Sequence, residues 1–307
     1  MLFQVVKIDF DKMTYNEILK LKLCKLTPMF NNLYKKSQVK RDFETISQHL
    51  NSIGFDAPTI KISTEWFSPT GYYSIYFPFY LLHPKLKYLQ RRYVGEIEGK
   101  NSSQIKKYIR HECSHAIDSI TNLKMNKKRQ QLFGKVSKPY PKSYLPNFKN
   151  NNYVENLGYS YAQSHPEEDW AETFAIWINP KINWQVKYID NEKCLKKIQL
   201  VHELFLEKTI KMKKINRNCS FYNICNDQRT IEEYLKEKRK ENGIDKKKKI
   251  LLKSIKSKKR FTNRKDLYLP IESKNELEYL KNSLKMKFDS NAIIPLLLKY
   301  KFHRVYM

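Results

Sequence analysis

His111-Glu112-Cys113-Ser114-His115 sits inside a run with helical periodicity. Ile105, Ile109, Ala116 and Ile120 form an apolar stripe, Ser102 or Ser103 suits the N-cap, and Thr121-Asn122 loosens the pattern. On a helix, residues four apart are separated by about 40° around the axis, so both imidazoles can converge on one Zn²⁺ at roughly 2.0 to 2.1 Å. Glu112 falls on an adjacent face, within reach of a water beside such an ion. The spacing is that of zinc hydrolases.

A second constellation lies downstream: Tyr161-Ala162-Gln163-Ser164-His165-Pro166-Glu167-Glu168-Asp169-Trp170-Ala171-Glu172. Pro166 suits the first turn of a helix and Ser164 its cap, which predicts a helix over Glu168 to Ile178 with Trp170, Phe174 and Trp177 as apolar bulk. Acids at a helix start are favoured by the macrodipole, yet Glu167, Glu168, Asp169 and Glu172 cluster here in a chain of net charge +28. A catalytic zinc site needs three protein ligands and one open position, so Glu168 is assigned as the third ligand beside His111 and His115. Glu172, one turn on, suits the carboxylate that takes the other ring N–H of a ligating histidine and fixes its orientation.

The segments HECSHAID, RQQLFG, PYPKSY and YSYAQSHPEEDWAETFAIW, in this order, resemble the zinc-binding metallopeptidase family that joins HExxH to an AQSHPxEDFAETFA-type glutamate helix. The glutamate helix is more distantly similar to that of lethal-factor-type toxin proteases, and the ligand set to thermolysin-like gluzincins. The likeness runs from about Gly71 to Glu207. It implies an α+β, zincin-like metallopeptidase domain with a small sheet, an active-site helix and a glutamate helix. It also implies His111, His115 and Glu168 as zinc ligands, Glu112 as general base, and Tyr161 as a phenol that stabilises the oxyanion. His165 is a candidate for a substrate or product carboxylate, or else caps the helix. Two features depart from the family: Ser114 stands where glycine is usual, and the N-terminal region, with Cys24 alone, lacks the cysteine-rich ribbon some members carry. The implied reaction is hydrolysis of a peptide bond by a zinc-activated water that Glu112 deprotonates.

Upstream, Gly71 to Phe77 reads as a strand, with Pro58 to Phe67 as its neighbour and Pro78 as its end. In proteases of this class an edge strand beside the active helix receives the peptide by β-augmentation, which makes Tyr72, Tyr73 and Ile75 candidate substrate contacts; a plain core strand is the other reading. Helices are expected over Tyr15 to Leu26, Gln38 to Ile53, Lys127 to Phe133 and Glu192 to Lys208, with the rest of Leu123 to Asn156 as a proline-rich loop. His202-Glu203 lacks a second histidine and reads as packing.

The domain of residues 1–207 is expected to be followed by a basic, mainly helical extension of residues 208–307. That extension contains the runs Lys246 to Lys249 and Lys256 to Arg260, then apolar periodicity from Leu277 to Leu297. A field of +28 attracts polyanions, so nucleic acid is a candidate partner, and a DNA-associated protease tethered through this region is the alternative reading, as is a non-catalytic peptide-binding zincin. Five cysteines without CxxC pairs argue against a disulfide framework or a structural zinc finger, although Cys219 and Cys225 could pair if oxidised. Cys113 reads as a packed thiol. With no signal peptide at Met1-Leu2-Phe3-Gln4 and no apolar run near the eighteen or so residues of a membrane span, a soluble intracellular protein is expected.

Overall fold

A computed structural model describes residues 9–95, 97–141, 144, 146–147, 150–158, 160–206, 210–211, 215–217 and 224–242. Among these the elements are, in order, α1 (Tyr15–Lys20), α2 (Phe30–Lys36), α3 (Gln38–Ser52), β1 (Thr59–Ser63), β2 (Ser74–Pro78), α4 (Pro84–Val94), α5 (Ser102–Ile120), α6 (Lys127–Phe133), α7 (Pro166–Trp177), α8 (Trp184–Lys187), α9 (Glu192–Leu206) and α10 (Ile231–Glu241). The class is α+β. The lysine runs after residue 245, Leu277 to Leu297 and Cys219 lie outside the described residues.

The contacts divide the chain into two compact units. The smaller contains α1, α4 and α10. In it, α1 stops six residues short of the expected Leu26, because Leu21 turns extended and the following backbone pairs with the chain before α10. Leu23 and Cys24 N–H donate to Arg229 and Asp227 carbonyls at 2.9 Å each, and Ile231 N–H donates to Leu21 O at 2.8 Å. A partner two hundred residues away outweighs local helix propensity here. α4 is not among the helices expected above, although Pro84 at its first turn, the His83 cap and Gly95 at φ 85° are ordinary boundary signals.

The larger unit holds the sheet and the helices that surround the metal-type motifs. β1 and β2 pair in parallel, Thr59 opposite Ser74 through Ser63 opposite Pro78. All of β2 is buried, as expected of a strand covered on both faces. α5 packs on β2 and α3, α7 on α5, and α9 on α7. Ile105, Ile109, Cys113, Ala116, Ile117 and Ile120 of α5 are fully buried, each large aliphatic among them worth about 1.5–3 kcal/mol of burial.

The caps differ from expectation for clear reasons. Asn101, not Ser102 or Ser103, caps α5 by accepting Gln104 N–H at 3.0 Å, while Ser102 Oγ donates to the buried carboxylate of Asp42 at 2.6 Å. α7 begins at Pro166, so His165 is its cap and accepts Glu167 N–H, while Ser164, one residue earlier, donates its Oγ to Tyr161 O.

Of the two readings of Tyr72 to Phe77, the geometry favours the core strand over the open edge. β1 covers one side of β2, and on the other Tyr76 exchanges both backbone hydrogen bonds with Phe67 at 2.8 and 3.3 Å, while Ser68 Oγ donates to Ser74 O at 2.9 Å. Residues 67 and 68 of the chain itself thus take the backbone groups that a peptide would need. Tyr73 and Ile75 are core side chains, Tyr73 donating its hydroxyl to Asp56 O; Tyr72 is half-buried.

Candidate metal centre

α5 presents His111 and His115 on the face it turns to α7, and α7 answers with Glu168 and Glu172 one turn apart. His111 Nε2 lies 3.0 Å from Glu168 Oε2, His115 Nε2 lies 3.3 Å from the same oxygen, and the two Nε2 atoms are 3.2 Å apart. A tetrahedral ion with ligands at about 2.0–2.1 Å holds them about 3.3–3.4 Å from one another, so this triangle suits one zinc-sized cation without moving either helix. His111, His115 and Glu168 are a group that could hold a metal ion.

Glu172 is fully buried. Its Oε1 lies 2.8 Å from His111 Nδ1, and its Oε2 accepts the N–H groups of Asn156 and Leu157 at 2.7 Å each. With a proton at Nδ1 facing Glu172, His111 turns a lone pair toward Glu168. Two acceptors facing each other at 3.0 Å demand a cation, whether a proton or a metal. Burial opposes charging His111, yet the hydrogen bonds and charges of Glu168 and Glu172 outweigh it and hold its pKa well above the ordinary imidazole value. Glu168 is the counterpart: burial pushes its carboxyl up, but His115 and His111 draw it well below the usual carboxylate range.

Glu112 is 6% exposed and makes no hydrogen bond with the described residues. Burial raises its carboxyl pKa, only partly offset by His111 and His115. A buried carboxyl with uncommitted oxygens beside a cationic centre can exchange a proton with a small molecule that enters there. Tyr161 stands against the same centre, its ring 5.6 Å from that of His111, placed by a 3-10 turn that follows a left-handed Ser160 at φ 53°.

Of its two readings, His165 takes that of helix cap and not that of carboxylate binder. Its Nδ1 accepts Glu167 N–H at 3.2 Å, its Nε2 donates to Lys138 O at 2.6 Å, and the residue is 3% exposed, so neither ring nitrogen is open to a ligand. His202 accepts the Trp177 indole N–H at 3.1 Å, which is a packing role. Cys113 is a buried thiol whose pKa burial pushes up.

Two features went unread in the sequence. Asp118, on the histidine face of α5, is bound bidentately by Arg129 of α6 at 2.7 and 2.6 Å, and the guanidinium lies 3.9 Å over the Trp170 ring of α7. Tyr140 places its hydroxyl 2.8 Å from Glu168 Oε1 and 3.0 Å from Glu167 Oε2. RQQLFG and PYPKSY contain these two residues, and their polar atoms were the available signal.

Two histidines and a glutamate from two packed helices, with the Glu112 carboxyl beside them, form a group that could hold a metal ion. Residues 104–235 match the model of the family described as "Putative zinc-binding metallo-peptidase", the family the motifs resemble, and the match takes in both α5 and α7. No curated protein and no solved structure matches the chain. No helix among the described residues is long and apolar enough to cross a membrane.

Proposed function

We propose that the protein is a zinc-dependent metallopeptidase of gluzincin type, with a zincin-like fold around α5 and α7, that hydrolyses peptide bonds. The observation that carries this reading is the triangle of His111 Nε2, His115 Nε2 and Glu168 Oε2, all within 3.3 Å of one another, with Glu112 unbonded beside it. A bound Zn²⁺ would act as Lewis acid and lower the pKa of water toward 7. Glu112 takes the proton from the attacking water and returns it to the leaving amine, a task suited to a carboxyl whose pKa burial has raised. Tyr161 donates to the carbonyl oxygen as negative charge develops on it. Glu172 keeps the His111 ring oriented.

Zinc titrated into metal-stripped protein should bind at one equivalent and raise the thermal midpoint, by about 2.7 kcal/mol of stability when free zinc is 100-fold above Kd. His111→Ala should abolish both effects. A parent chain that cleaves no member of a randomised peptide library, or cleaves equally well with chelator present, would overturn the peptidase reading.

The net charge of +28 favours a second reading, in which residues 208–307 tether the protease to nucleic acid. The full chain should then retard DNA in a gel at about 50 mM salt, weaken steeply as salt rises, and lose the shift when residues 243–307, which follow α10, are removed. Failure to retard either DNA or RNA at that salt removes this reading.

A further inference from the structure

The chain after α6 comes back to the metal centre at Tyr140. Its phenol ring stacks on the His165 imidazole with centroids 3.7 Å apart and planes at 14°, and Lys138 O accepts from His165 Nε2. The cap of α7 therefore doubles as the seat of residues 138–140. From that seat the Tyr140 hydroxyl lies 2.8 Å from Glu168 Oε1 and 3.0 Å from Glu167 Oε2. A phenol has one hydrogen and serves one carboxylate at a time. Glu167 is already paired with Lys124, and the shorter contact is to Glu168, so the hydrogen goes mainly to Glu168.

The two oxygens of Glu168 are thus divided: Oε2 faces both histidine nitrogens, and Oε1 faces Tyr140. Nothing else described donates to Oε1. We propose that Tyr140 is a positioning residue, which occupies Oε1 so that Glu168 offers Oε2 alone to the ion. This rests on Glu168 being a metal ligand. Hydrogen bonds to ligating groups commonly change metal affinity 10- to 100-fold when removed, because they fix the ligand's orientation before binding. Tyr140 is 52% exposed, and Tyr140→Phe keeps the ring on His165 while deleting only the hydroxyl.

The experiment compares full-length parent and Tyr140→Phe proteins, both metal-stripped. Zinc affinity is read by competition with a chromophoric chelator, and the visible bands of the Co²⁺-loaded proteins report the ligand field. The expected result is zinc bound about 10- to 100-fold more weakly by Tyr140→Phe, still at one equivalent, with shifted Co²⁺ bands and a metal-free protein that still unfolds in one cooperative transition. Equal zinc affinity with identical Co²⁺ bands overturns the proposal. So does a fall in kcat at unchanged zinc affinity, since the phenol would then act on substrate. Absence of zinc binding by the parent overturns the peptidase reading itself and this inference with it, which distinguishes that failure from a failure of Tyr140 alone.

Discussion

Glu112→Gln should lower peptide hydrolysis about 100- to 10,000-fold while the protein still binds one zinc, because an amide keeps the shape of the side chain but cannot take a proton from water. The geometry separates the two functions cleanly. The histidines and Glu168 face one another, and Glu112 takes no part in that triangle. The loss should therefore lie in kcat, with zinc affinity within a few-fold of the parent. Cleavage by Glu112→Gln at the parent rate would remove Glu112 as the base. Zinc binding by a parent chain that cleaves nothing would leave a non-catalytic peptide-binding zincin.

Arg129→Ala should destabilise the protein by about 3–5 kcal/mol, since it strands the carboxylate of Asp118 in the interior. The Asp118 and Arg129 side chains are 0% and 1% exposed, and the pair is bidentate. Arg129 also lies over Trp170, one of the largest fully buried side chains, so the pair joins α5, α6 and α7. At roughly 2–4 °C per kcal/mol for a chain of this size, the midpoint should fall by about 6–20 °C. Replacing both partners, Asp118→Leu with Arg129→Met, should recover most of the loss, because a buried ion pair is often no more stable than apolar residues of similar volume. Urea denaturation measures both variants. An Arg129→Ala protein that unfolds at the parent midpoint would show that the pair holds nothing together.

The candidate site was legible where its logic is local. Residues four apart on α5 share a face by helix geometry alone, and Pro166 followed by acids marks the start of α7. The same locality made α3 and α6 readable to within a residue. Reading failed wherever a distant segment competed for a backbone or side-chain group. Ser102 was a sound cap candidate, but the helix extends one residue further to Asn101, and the Ser102 hydroxyl donates to Asp42 of α3. The helix after Tyr15 ended early because residues 227–231 bonded to the backbone around Leu21 to Cys24. For β2 the sequence left both an open edge and a core strand readable, and Phe67 and Ser68 folded onto it decide for the core.

Helical periodicity and side-chain type were enough to single out His111, Glu112, His115, Glu168 and Glu172 as candidates, because each lies on a regular helix whose faces follow from residue spacing. Only the tertiary structure determined that Glu172 takes the Asn156 and Leu157 amides, that Arg129 neutralises Asp118, and that Tyr140, one of 21 tyrosines, reaches Glu168. Those contacts join residues 11 to 28 positions apart through turns and loops. A loop's path depends on what it packs against, and no periodicity encodes that.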